Sequence, residues 1–445
     1  MKRNPLLFLV VFVAALATRQ PLGRDMYLLA SEPEKDSTAI LRWKFVPNEV
    51  IRYKLHGTES VSIANRSYRN EIDYTFRWTV LKLGTEGRAV IRLDLERLVI
   101  DRQWPTVHFD SADDRLGVKP SIDSSIRPIY YKYRALAASV MVIGVMPSGS
   151  VFSVAGLDSP DVAIMARQML PADFPALPDK PPAVDLKWTV PTCLGPDSGE
   201  ASYAIRDVRL VDGVTLADIG GVITWKPNPQ LQPNLVHLPN HYIEAEFDCT
   251  NGKLRSQRMH TDVLNGKTNQ GQPFKLKVEA SLDLLPSVES SWHPPQPAST
   301  IELSNGSRLF IVTHSGFEDK NINGIPDRLD EIRKASRQFF EGETISITVF
   351  AEGLKDKPLR FDLVDATGNT LRSIDIALRN ELTVAHRELR KPSDGRTLLV
   401  PGIYFLEWWC DGSPVYFAPL QIYDPQVGQH DPNATAHHES DRGSP

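Results

Sequence analysis

The chain has 445 residues, of which 41% are hydrophobic and 24% charged, and its formal net charge is −5. This length predicts two or three domains, and the composition is that of a soluble globular protein. The mild acidity and the lack of a dense Lys/Arg block argue against nucleic-acid binding, which requires a basic face.

The first residues have the layout of a secretory signal peptide. Lys2 and Arg3 precede an uncharged apolar run at 6–17, which ends in a small-x-small cleavage pattern. As a helix this run would extend only ~18 Å, short of the ~30 Å hydrocarbon core. We therefore expect 1–17 to be a cleaved signal peptide, with an uncleaved anchor as the alternative. The mature protein is then secreted or periplasmic, has no stable membrane span, and begins with a flexible segment at 18–38.

Residues 39–285 are predicted to form a large β-rich domain. The stretch 70–83 alternates, so that Ile72, Tyr74, Phe76, Trp78 and Val80 share one buried face. A turn at 84–87 and a second alternating run at 89–101 complete a long antiparallel hairpin. Further strand-like runs occupy 40–45, 49–56, 140–146, 151–154, 188–192, 201–210, 214–225, 242–249, 255–261 and 274–285.

Three segments of this domain do not have a strand pattern. Residues 105–126 are polar and predict a long surface loop, and 129–139 predict a short helix. Ser159 and Pro160 suit the N-cap and first position of a helix that runs to about Leu170.

A proline-rich linker at 286–299 separates this domain from a predicted β-sandwich at 300–424. Asn305-Gly306 is a strong hairpin signal. We expect a helix over 329–340, and then strands at 344–352, 359–364, 371–378, 382–389, 402–409 and 415–423. The polar tail at 425–445 is predicted to be disordered.

The predicted fold class is therefore mainly β, with a large antiparallel body, half-barrel or sandwich, followed by a smaller β-sandwich. The runs LRWKFVPNEVIRYK and PDKPPAVDLKW, with the hairpin between them, resemble uncharacterised β-rich families of exported bacterial proteins. Those families are compared with half-barrels that hold lipoproteins or lipids, which implies a concave ligand face within 39–285. The ending PGIYFLEWWCDGSPVYFAPLQIYD resembles the last hairpin of immunoglobulin-like modules and implies such a module at the C-terminus.

The segment 319–330 has the residue types and spacing of a calcium-binding loop. Ca²⁺ prefers six to eight oxygen ligands, and an EF-hand-type loop supplies them from positions 1, 3, 5, 7, 9 and 12, with glycine at position 6. Gly324 occupies position 6. The six ligand positions are filled by Asp319, Asn321, Asn323, Ile325 (through its carbonyl), Asp327 and Asp330.

This loop resembles those of dockerins and of thrombospondin type 3 repeats, in which N-G-I-P-D recurs. Asp330 is shorter than the usual glutamate, and two ligands are neutral asparagines, so the expected affinity is modest, ~10⁻⁴–10⁻³ M. No entering helix precedes the loop. We therefore expect one structural Ca²⁺ and no calcium-sensing EF-hand pair.

The sequence leaves the function open between three classes. The first is a non-enzymatic protein that binds a protein partner or matrix. The second is a carrier or sensor of an apolar, lipid-like ligand in the concave face of the first domain. The third is a hydrolase with an unrecognised site; the common nucleophile, zinc and phosphate-loop motifs are missing from the sequence, which favours the non-enzymatic classes. Of the three cysteines, Cys193 and Cys249 could pair and Cys410 is expected to be a buried thiol; all three reduced is the alternative.

Overall fold

The structure is a computed structural model, and all structural statements concern the residues that it describes. These residues are 39–63, 66–103, 105–115, 125–155, 176–194, 197–226, 239–267, 272–286, 298–320, 325–326, 328–340, 343–380, 382–389 and 399–423. The predicted signal peptide, the segment 18–38, the helix at 159–170, nearly all of the linker and the tail at 425–445 lie outside them.

The first part of the chain forms one large antiparallel sheet. Its strands are β1 (Val50–Ile63), β2 (Arg66–Leu83), β3 (Ala89–Gln103), β4 (Thr106–Asp110), β5 (Val140–Val145), β6 (Val151–Ala155), β7 (Lys187–Leu194), β8 (Asp197–Val211), β9 (Val214–Lys226), β10 (His241–Asp248), β11 (Lys253–Thr261), β12 (Leu264–Lys267) and β13 (Pro273–Leu284). Their order is β6-β5-β3-β2-β1-β13-β11-β10-β9-β8-β7, with β4 beside β3 and β12 beside β13. Two helices, α1 (Ser111–Arg115) and α2 (Arg127–Ala138), interrupt the sheet between β4 and β5.

The large sheet curls around an aromatic core. The Trp43 ring lies 5.9 Å from that of Trp78 on β2 and 5.4 Å from that of Phe247 on β10. Strands β1, β13 and β11 lie between these two strands in the sheet. Neighbouring strands are ~4.8 Å apart, so a flat sheet would separate β2 from β10 by roughly 19 Å. One ring can touch both only because the concave side of the sheet closes on it.

The segment 39–45 fills this concave side and forms no strand, contrary to the strand expected at 40–45. Its backbone bonds to loops instead, with Trp43 N–H donating to the Pro147 carbonyl at 2.8 Å. Leu41, Trp43 and Phe45 are all buried. Alternation in 40–45 therefore reflects burial of every second side chain rather than pairing in the sheet.

The second part of the chain forms two smaller sheets packed face to face. The first contains β14 (Ala298–Glu302), β15 (Arg308–Phe317), β16 (Ile332–Ala335), β18 (Ile345–Glu352) and β21 (Leu382–Leu389). The second contains β17 (Gln338–Phe340), β19 (Pro358–Asp365), β20 (Thr370–Ala377), β22 (Gly402–Cys410) and β23 (Ser413–Tyr423). Their pairs are antiparallel, except for β17 with β23. The predicted fold class, mainly β with a large antiparallel sheet followed by a smaller sandwich, is confirmed.

Two further local predictions were wrong. Residues 329–340 form a 3₁₀ turn, Leu329–Glu331, and then β16 and β17, not a helix. The apolar side chains there satisfied a helical spacing, but pairing with β15 and β23 decides the local structure. The region 105–126, expected to be an irregular loop, contains β4 and α1 because β4 extends the sheet beside β3.

Helix α2 connects the large sheet to the sandwich. Tyr131 packs on the outer face of β22, where its ring lies 5.7 Å from that of Phe405. Arg134, 2% exposed, stacks 3.8 Å above the Phe417 ring, and its Nη1 lies 3.8 Å from Oε1 of the buried Glu407. Strand alternation explains this contact, because residues 404, 406 and 408 face the sandwich core and 403, 405 and 407 face α2.

Candidate functional site

The structure describes only part of the predicted calcium loop. Asn321, Asn323 and Asp327 lie outside the described residues, whereas Asp319, Ile325 and Asp330 are placed between β15 and β16. The Asp330 carboxylate is exposed and accepts from Lys320 Nζ at 2.9 Å, with Arg328 Nε at 3.2 Å. These cations lower the pKa of Asp330, with the Lys320 hydrogen bond as the largest cause.

The described part of this loop fits Ca²⁺ incompletely. Asp330 is an oxygen ligand of the required kind, but Lys320 competes for the oxygen that an ion would use. The described residues contain no group of three or more His, Cys, Asp or Glu side chains that could hold a metal ion. Calcium binding stays a prediction from the sequence.

A histidine pair lies on the outer face of the first sandwich sheet. His314 Nδ1 is 2.9 Å from the Gly316 carbonyl, which can only accept, so Nδ1 carries the proton and Nε2 accepts from the Thr348 hydroxyl at 2.9 Å. The Thr348 oxygen in turn accepts from His386 Nδ1 at 3.0 Å. Burial lowers the pKa of His314 to about 4. His386 is half-buried in this chain of bonds, and its Nε2 has no hydrogen-bond partner in the described structure.

A row of polar side chains crosses the concave face of the large sheet. This polar row consists of His241 on β10, Thr261 on β11, Glu59 on β1, Asn70 on β2 and Arg102 on β3. Register places them side by side, because His241 pairs with Thr261 and Glu59 pairs with Asn70. Strand β13 crosses the row at Val278, which pairs with Glu59 and whose N–H donates to the Thr261 hydroxyl at 3.1 Å.

One half of the polar row is internally hydrogen-bonded. Asn70 Nδ2 donates to Glu59 Oε2 at 2.8 Å, and Arg102 Nη1 donates to the hydroxyl of Tyr133, a residue of α2, at 3.1 Å. Burial raises the pKa of Glu59, against the opposing effects of the Asn70 hydrogen bond and the Arg102 charge. The helix that contacts the sandwich thus also closes the concave face over this half.

The other half of the polar row contains a buried side chain, His241, that lacks hydrogen bonds in the described structure. His241 is 0% exposed, and neither ring nitrogen has a hydrogen-bond partner in the described structure. Its ring lies 5.3 Å from that of Trp225, whose Nε1 is also buried without a partner there. Burial lowers the pKa of His241 to about 4, so the imidazole is neutral at pH 7.

Apolar side chains lie on both sides of the polar row. The main core, around Trp43, Trp78 and Phe247, lies on one side. On the other side is a smaller group, here called the outer cluster. It contains Val61, Leu264, Phe274 and Leu276 beyond the row, Val278 in the row, and Met259, which lies on the core side of Thr261 and packs against both groups. Val61, Met259 and Phe274 are only partly buried, so the outer cluster is reachable from solvent.

The polar row was not predicted from the sequence. Each member stands alone in a different strand, and only the cross-strand register brings them together. A usable signal existed in β1, where Glu59 follows Ile51, Tyr53 and Leu55 in the alternating pattern and should therefore face inward. The same alternation carries Asn70 inward, two positions before Ile72.

The cysteines are placed in separate regions. Cys249 and Cys410 are buried free thiols, and burial raises the pKa of Cys249 to about 11. The side chain of Cys193 lies outside the described residues. The suggested pairing of Cys193 with Cys249 is therefore wrong, and the buried thiol expected at Cys410 is confirmed.

Comparisons with known proteins show distant similarity in structure only. No protein-family model matches the sequence, and no curated protein has a significantly similar sequence. A structure described as lipid–protein interactions in lipovitellin aligns over 56% of this chain and 27% of its own length, at 9% identity and a TM-score of 0.35. DynF of the dynemicin biosynthesis pathway of Micromonospora chersina aligns over 59% of this chain and 92% of its own, at 7% identity and a TM-score of 0.17. A DUF1329 family protein from Desulfovibrio piger aligns over 54% of this chain and 87% of its own, at 10% identity and a TM-score of 0.14.

These scores are too low to carry a functional argument, and the chain spans about a quarter of the lipovitellin chain. Of the helices that the described residues form, none combines the length and the apolar character needed to cross a membrane.

Proposed function

We propose that this protein is an exported, non-catalytic carrier or sensor that holds an amphipathic small molecule against the concave face of its large sheet. The observation that carries the proposal is the layout of that face, on which the polar row lies between the main core and the outer cluster. A monomeric β protein gains most stability from an all-apolar face, because buried polar groups are costly unless they are bonded. An amphipathic ligand would explain this layout, because its polar group would contact the polar row and its apolar part the outer cluster.

The main core is not the place for the ligand. In the main core the rings of Trp78, Tyr53 and Phe76 pack directly on one another. The outer cluster is different, because Val61, Met259 and Phe274 remain partly exposed. We therefore place the apolar part of the ligand on the outer cluster and its polar group at the polar row.

The chemistry of the polar row favours binding over hydrolysis. Its hydroxyl, on Thr261, already accepts from a backbone N–H, and its carboxyl, on Glu59, is held by Asn70. A general base must reach a nucleophile to activate it. Glu59 and Thr261 are instead separated by β13 and each has another partner.

The binding of a protein or matrix partner, the first of the three classes, is less well supported than the carrier interpretation. The concave face gives the carrier a defined place with polar and apolar parts. The predicted calcium ion would have a separate, structural role in the sandwich, at the loop after β15.

A direct test is to purify the full chain from its exporting host, extract it with organic solvent and identify co-purifying amphiphiles by mass spectrometry. The extracted protein is then titrated with the fluorescent probe N-phenyl-1-naphthylamine. We expect saturable binding that Met259→Glu weakens at least ten-fold, since a charge on the outer cluster opposes an apolar ligand.

Arg258→Glu is the matched control, because Arg258 neighbours Met259 on β11 but is exposed on the opposite face. It should bind the probe as the unaltered chain does. Failure of the folded protein to bind the probe, or equal binding by both variants, would contradict the proposal.

A further inference from the structure

His241 is the one described side chain with two buried polar atoms that both lack a hydrogen-bond partner. More than nine-tenths of buried polar groups in proteins are bonded, so two on one ring call for an explanation. His314, which is equally buried, has a hydrogen bond at each ring nitrogen. Burial alone therefore does not account for His241.

The position of Trp225 beside His241 is fixed by its neighbour across the sheet. A Cβ on Gly199 would stand 2.6 Å from the Trp225 ring, so a side chain at 199 would displace the indole from its place beside β8. The indole and imidazole planes cross at 64° with centroids 5.3 Å apart. The two rings thus form a preorganised pair at the end of the polar row.

The hydrogen-bonding capacity of this pair can be counted. A neutral imidazole offers one N–H donor and one lone-pair acceptor, and the indole offers one donor. A ligand group that satisfies these ring nitrogens must accept at least one hydrogen bond and donate one. An ether or ester could only accept, and an ammonium could only donate.

Among the described residues, the sheet neighbours of His241 are uncharged. His241 pairs with Ile223 on β9 and with Thr261 on β11. The carboxyl of Glu59 lies three strands away from β10 in the sheet order. A phosphate or ammonium buried here would lose several kcal/mol of hydration without a counter-charge. The ligand group that fits is therefore neutral.

We propose that His241 and Trp225 bind an uncharged polar group that both donates and accepts, a hydroxyl or a carboxamide, at the end of an apolar chain. This inference rests on the carrier function proposed above and names the class of its ligand. Long-chain alcohols, acylglycerols and acyl amides carry this chemistry.

The experiment compares probes of equal chain length on the full, extracted protein. Dodecanol and dodecanamide are tested against dodecyl phosphate and dodecyltrimethylammonium, each by displacement of N-phenyl-1-naphthylamine. We expect the two neutral probes to displace it at concentrations at least ten-fold lower than the two charged probes.

Variants of His241 test whether this selectivity comes from the imidazole. His241→Leu should weaken the binding of dodecanamide about ten-fold. The affinity for dodecyl methyl ether, which lacks a donor, should change by less than about two-fold. His241→Gln keeps one donor and one acceptor type and should recover most of the affinity. His260→Leu, an exposed neighbour on β11, is the control and should change nothing.

The possible results separate the two proposals. If charged probes bind as well as neutral ones, or if His241→Leu keeps full affinity for dodecanamide, the neutral-group inference is overturned while the carrier function stands. If no probe of any kind binds to the folded protein, the carrier function fails and this inference fails with it.

Discussion

Two buried histidines, one in the large sheet and one in the sandwich, have the same exposure but different surroundings. His241 and His314 are both 0% exposed, and burial lowers the pKa of each to about 4. His314 lies in a closed chain of hydrogen bonds with Gly316 and Thr348. His241 has the Trp225 ring beside it and no hydrogen-bond partner in the described structure.

This difference separates a structural group from a binding group. Buried polar side chains that contribute to stability are bonded on every side, as His314 is. A side chain that serves a ligand keeps bonding capacity unused, at a cost of about 1–3 kcal/mol for each unsatisfied group. The contrast concerns the two histidines and not every polar group of the two regions, because the sandwich also contains buried atoms without a hydrogen-bond partner in the described structure, such as Asp362 Oδ1 and Trp408 Nε1.

The largest expected effect concerns the contact that joins the two regions. Arg134→Met should destabilise the protein by about 3–5 kcal/mol, because the buried Glu407 would lose its ion pair with Arg134 and keep the one with the more exposed Arg127. Calorimetry should then resolve separate transitions for the sheet and the sandwich. Arg97→Met removes an ion pair with Asp110 in which Arg97 is 59% exposed, and should cost less than about 1 kcal/mol.

The next effect is on acid stability. His241 binds a proton more readily in the unfolded chain, where its pKa is near 6.5, than in the folded protein, where it is about 4. Stability is therefore complete above pH 6.5 and falls as the pH drops towards 4, by on the order of 3 kcal/mol.

His241→Gln should make this part of the pH profile shallower in urea unfolding measured from pH 7 to pH 4, while His314, whose pKa is also lowered to about 4, keeps its own contribution. His260→Gln, on the neighbouring strand but exposed, should leave it unchanged. A wild-type slope in His241→Gln would mean that folding does not lower the pKa of His241.

The two histidines should respond oppositely to the same substitution. His314→Leu should cost about 2 kcal/mol, since the Thr348 hydroxyl and the Gly316 carbonyl lose their partner. His241→Leu should be neutral or slightly stabilising in the ligand-free protein, since it removes two unsatisfied polar atoms. Chemical unfolding of the two variants at pH 7 measures the difference, and equal losses would contradict the comparison.

The smallest expected effect is at the predicted calcium loop of the sandwich. We expect isothermal titration to give a dissociation constant of ~10⁻⁴–10⁻³ M for Ca²⁺. Lys320→Gln should tighten it about two-fold to five-fold by removing the cation that holds Asp330. No binding heat, together with no effect of a chelator on the melting temperature, would end the calcium hypothesis.

The sequence predicted those features that depend on local periodicity. Alternation in β2 identified the buried face of Ile72 to Val80, and Asn305-Gly306 identified a hairpin in which Gly306 takes φ +80°. The segment 329–340 does not form the predicted helix. Its neighbours across the sheet, β15 and β23, are not encoded within that window.

The sequence by itself determined the mainly β fold class, because strand alternation and turn residues are properties of adjacent positions. The tertiary structure alone decided where the chain curls and which polar groups meet. Glu59, Asn70 and His241 come from three strands, and cross-strand register, set by the whole sheet, aligns them on one face. Trp225 and His241 become a pair for the same reason, since a contact between strands depends on the fold and not on spacing along the chain.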